Sequence, residues 1–355
     1  MLSSTVPHGE NFELCGESIP LGARRHLALQ VAASYSGGRI ELPLHVWRGA
    51  APGPAVLVTA AVHGDELNGV GIIRSLLLDP PFDLLAGTLV LVPVVNILGY
   101  ERHSRYLPDR RDLNRSFPGI RSGSLAGRYA HRFFEELVRR CDYGVDFHTA
   151  AVRRVNFPNV RGNLRVPEVR RIASAFGCEL VISSTGPKGS LRREATRVGC
   201  PTIILEAGEV WKIEPTVTEI GIRGLRNLLI ALEMVTGEPA LPRYQARVEK
   251  TKWVRADFGG LLQFHVAPGD VVESGQPLAT NTDLLGAQQN QVEAPLSGVV
   301  LGMTTMPAVI PGDPIVHLAQ PRGGVRRIRK ALASSRLAGR VRDDLATSLH
   351  VTDAS

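Results

Sequence analysis

The 355-residue chain has only four cysteines, Cys15, Cys141, Cys178 and Cys200, and no CxxC pair. Scattered single cysteines supply neither a disulfide framework nor a thiolate metal site. They fit reduced, buried thiols in a cytoplasmic protein. Aromatic residues make up 5% of the chain, and no stacking platform for nucleic acid is visible. No apolar run reaches the ~20 residues that a membrane-spanning helix needs. The start, "MLSSTVPHGENFEL", lacks the basic and apolar segments of a secretory leader. These absences lead us to expect a cytoplasmic protein that engages neither membrane nor nucleic acid, with homo-oligomerisation left open.

The excess is in positive charge, a formal net +7. It is unevenly placed. From Gln320 onward eight Arg/Lys stand against three Asp, so this segment carries +5 and the rest only about +2. A short basic tail is more often solvated than bound to an acidic partner. Hydrophobic residues are 44% of the chain, enough for a full core without staples.

Three regions follow from the patterning. Residues 1–242 alternate apolar runs with helical periodicity. "HLALQVAAS" and "ELPLHVWR" read as a hairpin, and "PAVLVTAAV", "TLVLVPVV", "YGVDFHT" and "PTIILEAG" as buried strands. Helices are expected over 65–78, 125–140, 167–177 and 215–236. This grammar predicts an α/β fold with a mixed, mostly parallel sheet flanked by helices. Residues 243–319 carry short runs and turn signals ("FGG", "APGD", "ESGQ") and predict a small all-β domain. Residues 320–355 form a basic tail, helical or disordered.

In open α/β sheets, ligands gather beyond the carboxyl ends of the strands. His63 and Glu66 follow one apolar run, His148 a second and Glu206 a third. His63, Glu66 and His148 make a His₂Glu set, the donor count of a catalytic zinc with an open position. The three-residue spacing lets one turn offer both His63 and Glu66 to one ion. Asp65, between them, either orients a ligand or caps the following helix; Asp146 reads as supporting or structural. In "RYLPDRRDLNRSFPG" (105–119), Arg115 can fork onto a carboxylate and Asn114 can add a donor. A surface turn with solvated arginines is the plain alternative. Glu206, at an apolar strand end, suits a general base, with Glu209 a weaker candidate.

"HGDE" (63–66), "RYLPDRRDLNRSFPG" (105–119), "DFHT" (146–149) and "ILEAGE" (204–209) occur in an order that resembles the succinylglutamate desuccinylase/aspartoacylase family, zinc-carboxypeptidase-like deacylases. The resemblance runs to about residue 240. It implies one Zn2+ per chain on His63, Glu66 and His148, a substrate carboxylate on Asn114 and Arg115, and Glu206 as base. It also implies an arginine that polarises the scissile carbonyl. Arg105 matches by its "RY" context, with Arg110 and Arg111 as alternatives. The implied activity is hydrolysis of a small N-acyl amino acid or related amide. A carboxypeptidase or deglutamylase on the same zinc site is the alternative, and a non-catalytic binding protein the more distant one. Family members often carry a small β domain after the catalytic one. Here its turns resemble a biotinyl/lipoyl-type barrel sandwich, but "TDLLGAQQNQVEAP" has no Lys to modify, so an access or interface role is expected. Arg153, Arg154 and Arg161 are candidate pocket residues.

Overall fold

The computed structural model describes residues 11–349 and Val351. Residues 1–10, on which the leader reading largely rests, and the last residues of the tail lie outside the described residues.

A short hairpin, β1 (Asn11–Leu14) and β2 (Glu17–Pro20), comes first. The alternating runs β3 (Arg24–Ala33) and β4 (Arg39–Arg48) pair antiparallel, as their patterning predicts. There follow β5 (Ala51–Ala60), α1 (Asn68–Leu78), β6 (Ala86–Val92), the single turn α2 (Ile97–Tyr100), α3 (Leu125–Glu136) and β7 (Tyr143–His148). Next come β8 (Arg154–Gly162), α4 (Pro167–Phe176), β9 (Leu180–Ser183), α5 (Leu191–Arg197), β10 (Thr202–Gly208) and α6 (Pro215–Ala231). Pro167 opens α4 with its fixed φ, and Gly177 ends it at φ +86°.

The C-terminal segment contributes β11 (Ala246–Arg255), β12 (Gly260–Phe264), β13 (Val271–Val272), β14 (Pro277–Thr282) and β15 (Gln289–Glu293). It continues with β16 (Gly298–Thr304), β17 (Ala308–Val309), β18 (Pro314–Pro321), α7 (Arg326–Ala333) and α8 (Arg336–Ala346).

Twelve strands form one mixed sheet in the order β13-β16-β18-β11-β9-β8-β10-β7-β5-β6-β4-β3. Its parallel pairs are β11–β9, β9–β8, β10–β7, β7–β5 and β5–β6; the other pairs are antiparallel. The sheet is therefore less parallel than the sequence grammar suggests, and β8 is one reason. Only residues 149–153 join β7 to β8. A parallel return needs a crossover of about a dozen residues or more, so β8 runs back antiparallel, on the far side of β10. Asn156, Pro158, Asn159 and Arg161 interrupt its apolar pattern, which is why it does not read as a strand.

Helices cover both faces. α1, α4 and α6 pack on one side, with Ile72, Ile172, Phe176 and Leu228 in a common core. α3 and α5 pack on the other, with Tyr129, Phe133 and Leu191. β11 and β16 join this same sheet through β9 and β8, and the order β15-β14-β12-β17 makes a second, four-stranded sheet.

The basic tail is docked. Ile328, Ala331, Ala338, Val341 and Leu345 are buried in the core shared with α6. Thr216 Oγ1 donates to Asp344 Oδ2 at 2.8 Å, and Arg342 pairs with Asp270. Leu345→Ala should therefore cost ~2–5 kcal/mol in denaturant unfolding, the range for a truncated core leucine. A change within ~0.5 kcal/mol, as for a surface residue, would show that the tail is not part of the core.

Candidate metal centre and its pocket

β5, β7 and β10 are parallel neighbours, so their carboxyl ends open at one edge. The chain leaves β5 through Ala61, at φ +48°. At Gly64 a Cβ would lie 2.1 Å from the Gly99 carbonyl carbon and 2.2 Å from the Tyr100 nitrogen. Only glycine lets this loop press against α2. The Glu66 N–H then donates to the His63 carbonyl at 3.2 Å, a tight turn that faces both side chains the same way.

Glu66 sits between two imidazoles. Its Oε1 is 2.6 Å from His63 Nδ1 and its Oε2 is 2.9 Å from His148 Nδ1. The Thr149 N–H donates to Oε2 at 3.0 Å. All three residues are buried, and each offers a ligand atom within 4.8 Å of the others. The outward nitrogens also have partners. His148 Nε2 lies 2.7 Å from Asp146 Oδ2, and His63 Nε2 lies 3.2 Å from Asp112 Oδ1. Thr59 Oγ1 on β5 holds the other Asp146 oxygen at 2.7 Å. Carboxylates on both outward nitrogens fix the ring orientations and leave the two Nδ1 atoms converging, an arrangement suited to metal ligation.

The electrostatics follow this packing. Burial works against a charged His148, but Asp146 and Glu66 outweigh it and raise its pKa well above the usual imidazole value. His63 is likewise raised, burial being overcome by Glu66 and Asp112. Burial opposes ionisation of Glu66 and Asp112 too, yet both are held well below the carboxylate range. His63 and His148 do this for Glu66, and His63 and Arg105 for Asp112.

Arg105 reaches the triad: its guanidinium lies 3.3 Å from Glu66 Oε1 and 3.1 Å from Asp112 Oδ2. Arg111 instead faces Asp109 in solvent, and Arg110 occupies a turn at φ +62°. Asp112 is the residue that sequence reading passed over. It also caps the turn Leu113–Arg115 through the Asn114 N–H at 2.8 Å, which was its visible signal. Asn114 Oδ1 accepts from the Leu191 N–H at 2.8 Å, and Arg115 stands half exposed at the pocket mouth.

Glu206 is the register partner of His148 on the adjacent parallel strand, so both side chains lie on one face of the sheet. Its Oε2 accepts from Asn156 Nδ2 at 3.0 Å, and Arg161 lies 3.8 Å away. Glu209 turns elsewhere, to Thr305 and Lys212. Asp65 does not cap α1, whose N-cap is Leu67. It is buried, Oδ1 has no hydrogen-bond partner among the described residues, and burial together with Glu66 raises its pKa.

These groups line a cavity of about 410 Å3 that holds His63, Glu66, Arg105, Asn114, Arg115, His148 and Glu206 together. Arg154 and Arg161 line it as well, whereas Arg153 does not. Sequence reading missed Arg192, Trp253 and His317 on its walls. Trp253 and His317 come from β11 and β18, and nothing local marks them.

Residues 52–232 match the family model described as the succinylglutamate desuccinylase/aspartoacylase catalytic domain. The chain belongs to this family. The curated N-alpha-acetyl-L-2,4-diaminobutyric acid deacetylase of Halomonas elongata is 27% identical over 297 residues, 80% of this chain and 86% of that protein. Among solved structures, a succinylglutamate desuccinylase/aspartoacylase from Rhodobacter sphaeroides superposes with a TM-score of 0.73. Its identity is 23%, over 84% of this chain and 96% of its own. The product-bound ectoine utilization protein EutE (DoeB) from Ruegeria pomeroyi gives 0.73 at 24% identity, over 85% and 97%. At these identities the structural likeness establishes the shared α/β fold.

The coupled carboxylates and imidazoles set a pH signature for the metal-free protein. Histidines with raised pKa stabilise fully below the ordinary 6.5 and lose this as pH rises through their folded values. Glu66 and Asp112, with lowered pKa, stabilise fully above 4.5 and 3.8 and lose this as pH falls. In chelator, the Tm should peak between pH 4.5 and 6.5 and decline toward alkaline pH. Added zinc, which competes with the imidazole protons, should lift Tm most at alkaline pH. A Tm equally flat with and without zinc above neutrality would contradict this.

Proposed function

We propose that the chain is a zinc-dependent deacylase that hydrolyses the amide bond of a small N-acyl amino acid or a related carboxylate-bearing amide. The observation that carries this reading is the convergence of two imidazole Nδ1 atoms and Glu66 beside Glu206 in one cavity. Family membership and the deacetylase activity named for the Halomonas relative support it. The cavity, about 410 Å3, suits a small amide better than a peptide end.

The donor set fits zinc: two nitrogens and one carboxylate, buried, each imidazole backed by a second carboxylate. His63, Glu66 and His148 would hold the ion, which when bound supplies Lewis acidity toward water and the amide carbonyl. The chain's own residues do the rest. Glu206 accepts a proton from the attacking water and delivers it to the leaving nitrogen. The Asn156 amide, 3.0 Å from Glu206 Oε2, orients that carboxylate. Arg105 places a guanidinium where charge develops on the carbonyl oxygen. Asp112, bridging Arg105 and His63, holds both in place. Arg115, with Asn114, binds the substrate carboxylate and so sets the amide over the site.

The test is a panel of N-acyl amino acids and short peptides on zinc-loaded protein, with both products identified by mass. With the substrate in hand, Glu206→Gln should keep zinc and lower kcat by ~10²–10⁴. Arg115→Ala should mainly raise KM, because its contact exists in both ground and transition states. If Glu206→Gln keeps wild-type kcat, proton transfer runs through another group.

A further inference from the structure

The two ends of the twelve-stranded sheet differ. At one end β13 is two residues long, short as protected edge strands are. At the other end β3 runs for ten residues, Arg24–Ala33, and among the described residues it pairs with β4 alone. At ~3.3 Å per residue it offers about 33 Å of edge. Beyond the ladder with β4, residues 25–33 make no backbone hydrogen bond to another described segment. The outward N–H and C=O groups of β3 are therefore a row on which a further strand can pair.

The devices that usually blunt such an edge are missing from its middle. β3 has no proline and no lysine, and its two charges, Arg24 and Arg25, stand at its start. The register with β4 is unbroken from Arg24 to Gln30; the irregularity comes beyond, between Gln30 and Ala32. Leu27, Leu29 and Val31 are buried in the core shared with α3, while His26, Ala28 and Gln30 alternate with them and are exposed. α3 does not close the edge, because a cavity of about 640 Å3 lies between it and residues 30–33.

We infer that β3 is a homodimer interface, at which two copies of the chain pair antiparallel about a two-fold axis at Leu27 and join their sheets into one. Such an interface is isologous, so a single strand must complement itself. The charges of β3 meet that condition. Pairing over the unbroken stretch 24–30 sets Leu27 opposite the partner's Leu27 and continues the buried apolar layer across the axis. Arg25 then falls opposite the partner's Leu29, and Arg24 opposite the partner's Gln30. No arginine faces an arginine, the arrangement that destabilises a cross-strand pair. Gln30 is the ladder neighbour of Glu41, which is exposed and makes no ion pair among the described residues. Each Arg24 thus approaches the part of the partner where a carboxylate is free. β4 and β6 stand between β3 and the strand that leads to His63 and Glu66, so the interface is independent of the chemistry proposed above.

The experiment is sedimentation velocity on the full chain over a concentration series, in wild type and in Gln30→Glu and Gln30→Arg. Gln30 is exposed, so both variants should keep the circular dichroism spectrum of the wild type. The wild-type chain should reach twice its own mass, reversibly and with rising concentration. Gln30→Glu places a carboxylate opposite Arg24 twice per dimer and should tighten the dimer about threefold or more. Gln30→Arg sets arginine against arginine twice and should weaken it by about threefold or more. Within one chain position 30 neighbours Glu41, so any effect on the stability of the monomer has the opposite sign and cannot mimic these shifts. A wild-type chain that stays monomeric at every concentration would overturn the inference. So would a dimer that the two variants leave unchanged or shift in the same direction.

Discussion

The site is organised by one buried carboxylate held between two buried imidazoles. Glu66 is fully removed from water, and a lone charge there would be expensive. It is tolerated because His63, His148, Arg105 and the Thr149 N–H all converge on its two oxygens. Each imidazole is steadied in turn by a further carboxylate, Asp112 or Asp146. The backbone serves this cluster. Gly64 allows the β5–α1 loop to close, and parallel pairing of β5, β7 and β10 brings His63, His148 and Glu206 to one edge.

Charge compensation also links distant parts of the chain. Asn156 and Arg161 on β8 face Glu206 on β10, and Trp253 and His317 on β11 and β18 close the same cavity. The sheet that holds the His63–Glu66–His148 cluster is continuous with the strands that wall the pocket. The docked tail clamps α6 through Asp344 and the 267–270 turn through Arg342. The C-terminal segment thus meets the cavity through Trp253 and His317.

Much of this was legible from local signals. Apolar runs marked β5, β6, β7 and β10, and a polar residue at the end of such a run marked His63, His148 and Glu206, because a strand end in an α/β sheet opens on a crevice. The hairpin β3–β4 was legible from its alternation. What could not be read depends on pairing at a distance. β8 was hidden by its asparagines, proline and arginine, and its direction is set by a link of five residues, 149–153. Asp112 was hidden because its role as a partner of His63 and Arg105 exists only once three loops meet. Trp253 and His317 lie in a segment of different grammar and reach the site only through the β11–β9 pairing. The tail's spacing hinted at helices, but their burial depends on α6.

The central claim is that Glu66 and the two imidazoles are one ligand set. The most direct measurement is metal content per folded chain after zinc loading and desalting, in wild type and in Glu66→Ala, with circular dichroism to confirm the fold. The account expects about one zinc per wild-type chain, the count for one three-ligand site, and near-complete loss in Glu66→Ala. Full zinc occupancy in a folded Glu66→Ala chain would contradict it.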